Sequence, residues 1–427
     1  MSDNQSSTPS IPRATGFDST LALQKEGYDF IRNRCQQMQT DIFETRVLLK
    51  PTICMLGREA SEIFNDETKF QRSGAAPTRV KKTLLGQKGV QGLDGEAHRH
   101  RKAMFMALMS KQSLDELVQT THAYWLAAIN DWQLRDSPIV LKQAAAEVLT
   151  QSICQWAGVP LERDEIKHRT HQFIHMIESA SKIGFRHWQG RQARRSMERW
   201  CRKLIHQTRT GHLSVEPDKA LYKIAMHQQL DNNLLSEQVA AVELLNVLRP
   251  TVAITYYIVL TALALHHFPH EAKRLDSDEA RHRFAQEVRR FYPFFPATVA
   301  LVKRTFEWQG YTFAEGTRVM LDLYGTNHDE RLWQNPEQFW PDRFLYNEPD
   351  QFSLIPQGGG DYWQHHRCAG EWLTLTMMEL ALKVLTEEME YEVPGQNLFL
   401  PHNKMPTYPE SGFVFCNVKP LAASTNV

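Results

Sequence analysis

The apolar positions of this chain fall mostly three and four residues apart and only briefly two apart, a spacing that predicts a mainly helical protein with small β-sheets. From Gly16 to Gln39, Asp18-Ser-Thr opens an amphipathic run through Leu21, Leu23, Tyr28 and Ile31. Between Asp41 and Met55 the pattern alternates through Ile42, Phe43, Thr45, Val47 and Leu49, then Thr52-Ile-Cys-Met. It is the one early β signal. A helix that begins at Gly57 is expected to end near Asp66. Leu114 to Trp132, Val140 to Ala157, Arg163 to Ile183 and Gly184 to Thr208 read as successive helices with short polar connections. Ser236-Glu-Gln-Val then starts a long helix, with Ser236 as its cap and Glu237 suited to the first turn. Its apolar pattern runs through Leu244, Leu245, Leu248, Val252 and Ile254 to Leu265, and Pro269 stops it. The run from Thr251 to Leu265 is shorter than the roughly 20 residues of a membrane span. This helix is therefore expected to pass through the centre of the molecule.

Composition narrows the class. Hydrophobic residues make up 42% of the chain, enough for a sizeable core. Lys plus Arg (49) equal Asp plus Glu (49), so charge gives no sign of a nucleic-acid partner. The basic run from Arg186 to Lys203 reads as a solvated helix face, with a basic entrance that attracts a carboxylate as the alternative; it is not read as a single-strand nucleic-acid platform. Six cysteines are scattered without regular spacing. That argues against a disulfide framework and fits a reducing cytoplasm. Residues 1–15 are rich in Ser, Thr, Pro and Asn and are expected to form a disordered tail, with no signal peptide and no membrane anchor. Residues 16–427 are expected to form one domain.

The chemistry converges on Ile355-Pro-Gln-Gly-Gly-Gly-Asp-Tyr-Trp-Gln-His-His-Arg-Cys-Ala-Gly-Glu371. The glycines Gly358, Gly359 and Gly360 let the backbone lie against a flat ligand. Cys368 follows, and after Gly370 the pattern becomes helical through Leu373, Met377, Leu380, Ala381, Val384 and Leu385. The sulfur thus stands just before a helix start, where free N–H groups and the helix dipole favour a thiolate. A lone cysteine after a glycine turn is either a buried structural residue or a ligand. The glycines, His366-Arg367 and the helix start all meet on one sulfur and favour the ligand, in the form of an axial thiolate for haem iron. No second cysteine lies within zinc-site spacing. No Lys-Ser or Lys-Thr follows the glycines, as a phosphate loop requires.

A second anomaly lies in the middle of the long helix. Pro250 removes a helical hydrogen bond, and Arg249 carries a charge toward the interior. The residues three and four positions away are Leu245, Asn246, Val252 and Ala253, so no carboxylate is in local reach. Either another segment or a ligand must supply the anion.

The cysteine loop resembles that of the cytochrome P-450 superfamily. "PQGGG" followed by five residues and "HRC-x-GE" is similar to its fatty-acid peroxygenase branch. The general superfamily pattern has an aromatic residue and a glycine where this chain has Asp361 and Gln364. The resemblance implies a single-domain cytochrome P-450 fold holding haem b, with Cys368 as iron ligand and Gly359 and Arg367 in the cofactor loop. By the same resemblance His98 and Lys102, one turn apart after the glycine loop, hold the haem propionates. Glu287, Arg290 and Arg343 (in Pro341-Asp-Arg-Phe) form a buried charge triad behind the loop. Gln91 points into the pocket, and Leu85 replaces an aromatic of the branch. Arg249-Pro250 stands where ordinary members carry an acid followed by threonine. A guanidinium there binds a fatty-acid carboxylate, which then serves as the missing acid–base group. The resemblance implies peroxide-driven hydroxylation of medium- or long-chain fatty acids at Cα and Cβ, with hydrogen peroxide as co-substrate and no obligatory redox partner. Decarboxylation to terminal alkenes, a reductase-dependent monooxygenase and a non-catalytic haem-thiolate sensor are the alternatives. Gln91 favours hydroxylation.

Overall fold

The computed structural model describes residues 9–180, 182, 184–346 and 348–421. Its axis is the helix Glu237–His267, capped as expected: Ser236 Oγ accepts from the Val239 N–H. Nearly every residue from Ala240 to Leu265 is buried. A helix that is apolar all round belongs in a core or a bilayer. Here 94% of its most apolar window is covered by the rest of the chain, which makes it the core helix. Leu141–Trp156, Phe185–Arg209 and Glu371–Lys383 pack around it. Lys111–Trp132 packs against Leu141–Trp156, and Ile166–Glu178 packs on Phe185–Arg209 while also touching Leu141–Trp156 and the axial helix. Trp125, Leu149, Ile153, Phe173, Leu248 and Met377 share the resulting core. Pro250 sits inside the axial helix without ending it. It has no N–H to return to the Asn246 carbonyl.

The alternating segment forms the hairpin Ile42–Val47 and Lys50–Met55, with Ile42 opposite Met55. It joins a five-stranded sheet in which Lys50–Met55 runs parallel to Arg318–Asp322. Ala297–Val302 then pairs antiparallel with Arg318–Asp322, and Phe70–Gln71 closes the edge. A three-stranded sheet of Ile139–Val140, Val414–Pro420 and Met389–Glu392 lies elsewhere, together with a small hairpin at Phe306–Phe313.

Two expectations need correction. Residues 1–8 lie outside the described residues, but the disordered tail does not extend to residue 15. Ile11 is buried, the Glu44 N–H donates to the Pro12 carbonyl at 2.7 Å, and the Ala14 N–H donates to Glu44 at 2.9 Å. This stretch lies beside the outer strand of the sheet and satisfies backbone groups that would otherwise be unpaired. The basic helix Phe185–Arg209 does present Arg186, Arg195, Arg199, Arg202 and Lys203 to solvent. Arg194 is the exception. It turns inward to hold the Leu84 carbonyl at 2.9 Å and Glu198 at 2.6 Å.

Candidate active site

The loop before the helix Glu371–Lys383 is stitched by its own backbone. The Cys368 N–H donates to the Gln357 carbonyl, and Gln357 Nε2 donates to Thr374 Oγ1 at 3.1 Å. The glycines have steric reasons. A Cβ on Gly359 would lie 2.8 Å from Ser61 Oγ. Gly360 has φ +90°, and a Cβ there would lie 2.4 Å from His365 Nδ1, which itself accepts the Asp361 N–H. Gly360→Ala is expected to cost about 1–3 kcal/mol, read as a lowered urea midpoint, with weakened cofactor retention. Cys35, Cys54, Cys154 and Cys201 are fully buried core residues, whereas Cys368 is only partly covered. Burial pushes the Cys368 thiol up, the Gly370 N–H pulls it down, and Glu371 pushes it up again.

Behind the loop lie two buried ionic clusters. Glu287 accepts from Arg290 at 2.8 Å, from Arg343 at 3.0 Å and from the Trp340 N–H at 2.9 Å. The structure thus brings together the three triad residues named from sequence, all but sealed from solvent. The second cluster was missed. Glu371 is bound by Arg289 and, at 2.8 Å, by Arg367. No local spacing encodes the Arg289–Glu371 pair, because its partners are 82 residues apart.

Arg367 and Lys102, which the resemblance assigns to the cofactor, also have partners in the protein. Arg367 is turned onto Glu371 and over the Tyr362 ring at 4.1 Å. The Lys102 ammonium is held by the His365 and Arg367 carbonyls, so it ties the helix Gly95–Met106 to the cysteine loop. His98 lies in the same region. It is buried, stacks on His366 at 3.8 Å, and its Nδ1 has no partner. Burial and then Lys102 press its pKa down to about 3. Sequence reasoning overlooked Arg72, whose Nη1 is also buried and unpaired. Burial lowers its pKa to about 10, while Asp94 and Glu67 oppose the shift.

These groups test the haem. The described residues contain no cluster of three His, Cys, Asp or Glu suited to a bare metal ion. They offer one axial sulfur and a set of buried unpaired donors, Arg72 Nη1 and His98 Nδ1. That donor set suits a planar iron cofactor carrying carboxylates, and the residues fit the group.

On the axial helix stands Arg249, 6% exposed. Among the described residues it makes no ion pair and no hydrogen bond, and its Nε is buried without a partner. Burial lowers its pKa to about 9, Arg194 adds repulsion, and Cys368 opposes both. Gln91 lies on the turn Val90–Gly92 and accepts from Asn246 Nδ2 at 3.3 Å, one helical turn before Arg249. Leu85 ends the turn Lys81–Leu85, beside the Leu84 carbonyl that Arg194 holds, and is half-buried.

A cysteine loop at a helix start, close to the axial helix and with donors nearby for a carboxylate-bearing cofactor, is the arrangement of a haem-thiolate protein. The Cytochrome P450 family model matches residues 282–416. Cytochrome P450 26A1 of Danio rerio is 21% identical over 415 residues, 87% of this chain and 82% of that protein. Solved structures lie nearer. Cytochrome P450EX alpha (CYP152N1) with myristic acid is 43% identical, covers 97% of this chain and 100% of its own, and superposes with TM-score 0.94. A mutant of cytochrome P450SP alpha (CYP152B1) is 45% identical over 95% of this chain and 100% of its own, at TM-score 0.93. A mutant of cytochrome P450 OleT in complex with arachidonic acid is 34% identical over 98% of this chain and 100% of its own, at TM-score 0.94. The chain belongs to the cytochrome P450 family and, within it, to the fatty-acid peroxygenase branch.

Proposed function

We propose that this protein hydroxylates fatty acids at the carbons next to the carboxyl group, using hydrogen peroxide. The observation that carries the reading is Arg249, a buried guanidinium with no protein anion beside it. A buried cation of this kind is costly until it is paired. A fatty-acid carboxylate supplies the pair in two-pronged geometry, and the alkyl chain suits an apolar interior. When bound, the haem supplies the iron at which peroxide is activated and a C–H bond is oxidised.

The chain's residues do the rest. Cys368 would supply the thiolate ligand of the iron, and the glycines let its loop pack where a side chain would clash. Arg249 pins the carboxyl end, so Cα and Cβ are the carbons held nearest the reaction centre. The pinned carboxylate is the acid–base group of the site: held by Arg249, one of its oxygens can accept a proton and give it back, in place of a protein side chain. Pro250 occupies the place from which a threonine hydroxyl would otherwise relay protons, so no side chain competes for that step. The balance is one acid and one peroxide to one hydroxy acid and one water. Arg72 and His98 would hold the cofactor's carboxylates. The relatives crystallised with myristic and arachidonic acids support the substrate class. Scattered unpaired cysteines support a cytoplasmic setting.

The test is product analysis with hydrogen peroxide and a chain-length series of acids, without NAD(P)H. The expected products are 2- and 3-hydroxy acids. Terminal alkenes as the main product would move the assignment to decarboxylation. Turnover that requires a reductase and is silent with peroxide would overturn it.

A further inference from the structure

Gln91 does not stand alone beside Arg249. A chain of buried polar groups runs into it from the helix Gly95–Met106. Arg101 Nη1 donates to Glu243 Oε1 at 2.8 Å, and both side chains are almost fully buried. The other oxygen, Glu243 Oε2, accepts from Asn246 Nδ2 at 2.9 Å. The same Nδ2 donates onward to Gln91 Oε1 at 3.3 Å. The Val90 N–H, in the turn that carries Gln91, also bonds to the Glu243 carboxylate.

The order of donors and acceptors in this chain is forced. Burial raises the Glu243 pKa, with Asn246 and the Arg101 guanidinium opposing the shift; as the carboxylate partner of Arg101 it only accepts, so Asn246 turns its NH2 end to it. That end has two hydrogens, and the second meets Gln91, which must answer with its carbonyl oxygen. What remains is the Gln91 NH2 group, which has no hydrogen bond among the described residues. Asn246, which holds Gln91, and Arg249 are three apart on one face of the axial helix, which puts the Gln91 amide on the same face as the unpaired guanidinium.

We propose that Glu243, acting through Asn246, is a positioning residue that fixes the polarity of the Gln91 amide, so that its NH2 end meets the substrate carboxylate held at Arg249. This rests on the carboxylate-anchor reading above. The simpler role for Glu243 is to neutralise Arg101 and nothing more, and the two roles separate experimentally. In Glu243→Gln the single remaining oxygen stays with Arg101, the stronger charge-assisted partner. Its NH2 then faces Asn246, which turns over to accept. Gln91 must turn over in response and present its oxygen to the carboxylate, where it repels.

The experiment is calorimetric titration of the holoenzyme with tetradecanoate, with thermal unfolding of every variant alongside. Glu243→Gln is expected to weaken binding about ten-fold. In a Gln91→Leu background the same substitution should change it less than about two-fold. Should Glu243→Gln fail to fold, Asn246→Ala cuts the chain while leaving the Arg101–Glu243 pair intact, and the same contrast between backgrounds is expected. Equal losses in both backgrounds, or no loss in the first, would overturn the proposal. Arg249→Ala in the same titration separates the two readings. Unchanged binding there removes the anchor itself, whereas lost binding there with Glu243→Gln silent removes only the relay.

Discussion

Arg249→Ala is expected to abolish peroxide-driven fatty-acid oxidation while leaving the fold as stable as before, or more so. Two losses combine in turnover. The charge-assisted hydrogen bonds to the carboxylate are worth about 1.5–3 kcal/mol. An acid–base group that is no longer held in place forfeits roughly 100- to 10,000-fold in rate. Stability moves the other way because the guanidinium is buried without a partner, and its removal relieves a desolvation cost that no protein group offsets. Steady-state kinetics and a thermal scan of the same preparation check both halves. A variant that is inactive because it is unfolded contradicts the account as surely as one that is fully active. Arg249→Lys should fall between, since an ammonium keeps the charge but loses the two-pronged geometry.

The second large effect is on the fold. Glu287 is the one carboxylate between Arg290 and Arg343 and also takes the Trp340 N–H. Glu287→Ala leaves two guanidinium groups uncompensated in a sealed interior, which is expected to cost about 3–5 kcal/mol. The measurement is the urea unfolding midpoint. Glu62→Ala is the control, because it breaks an exposed one-turn pair with Arg58. That change should stay within about 0.5 kcal/mol. Glu287→Gln keeps the shape and isolates the charge.

What could be read from sequence, and what could not, divides by the range of the interaction. The axial helix was legible because its cap, its apolar period and its terminating proline are all local. Cys368 was legible because a glycine turn, a basic pair and a helix start meet within a few residues. Arg249 was legible as a violation, a charge in an apolar run with no partner one turn away. The misses are long-range. The Arg289–Glu371 pair joins two helices far apart in sequence, and nothing near Arg72 marks it as a buried donor. Lys102 was recognisable as a cation at a helix start, but its acceptors are the backbone carbonyls of another loop, and carbonyls leave no trace in a residue pattern. The parallel pairing of Lys50–Met55 with Arg318–Asp322 is invisible for the same reason. The packed strip at Ile11 to Ala14 was hidden by a composition typical of tails, since only the outer strand beside it gives those residues a partner.

All of this rests on a cation that stays unpaired until the substrate brings its anion. The most direct measurement compares the binding of a fatty acid with that of its methyl ester, in the native protein and in Arg249→Ala. The acid should bind at least about ten-fold more tightly than the ester in the native protein, and the two should bind alike in the variant. A preference for the acid that survives loss of Arg249, or no preference at all, would contradict the account.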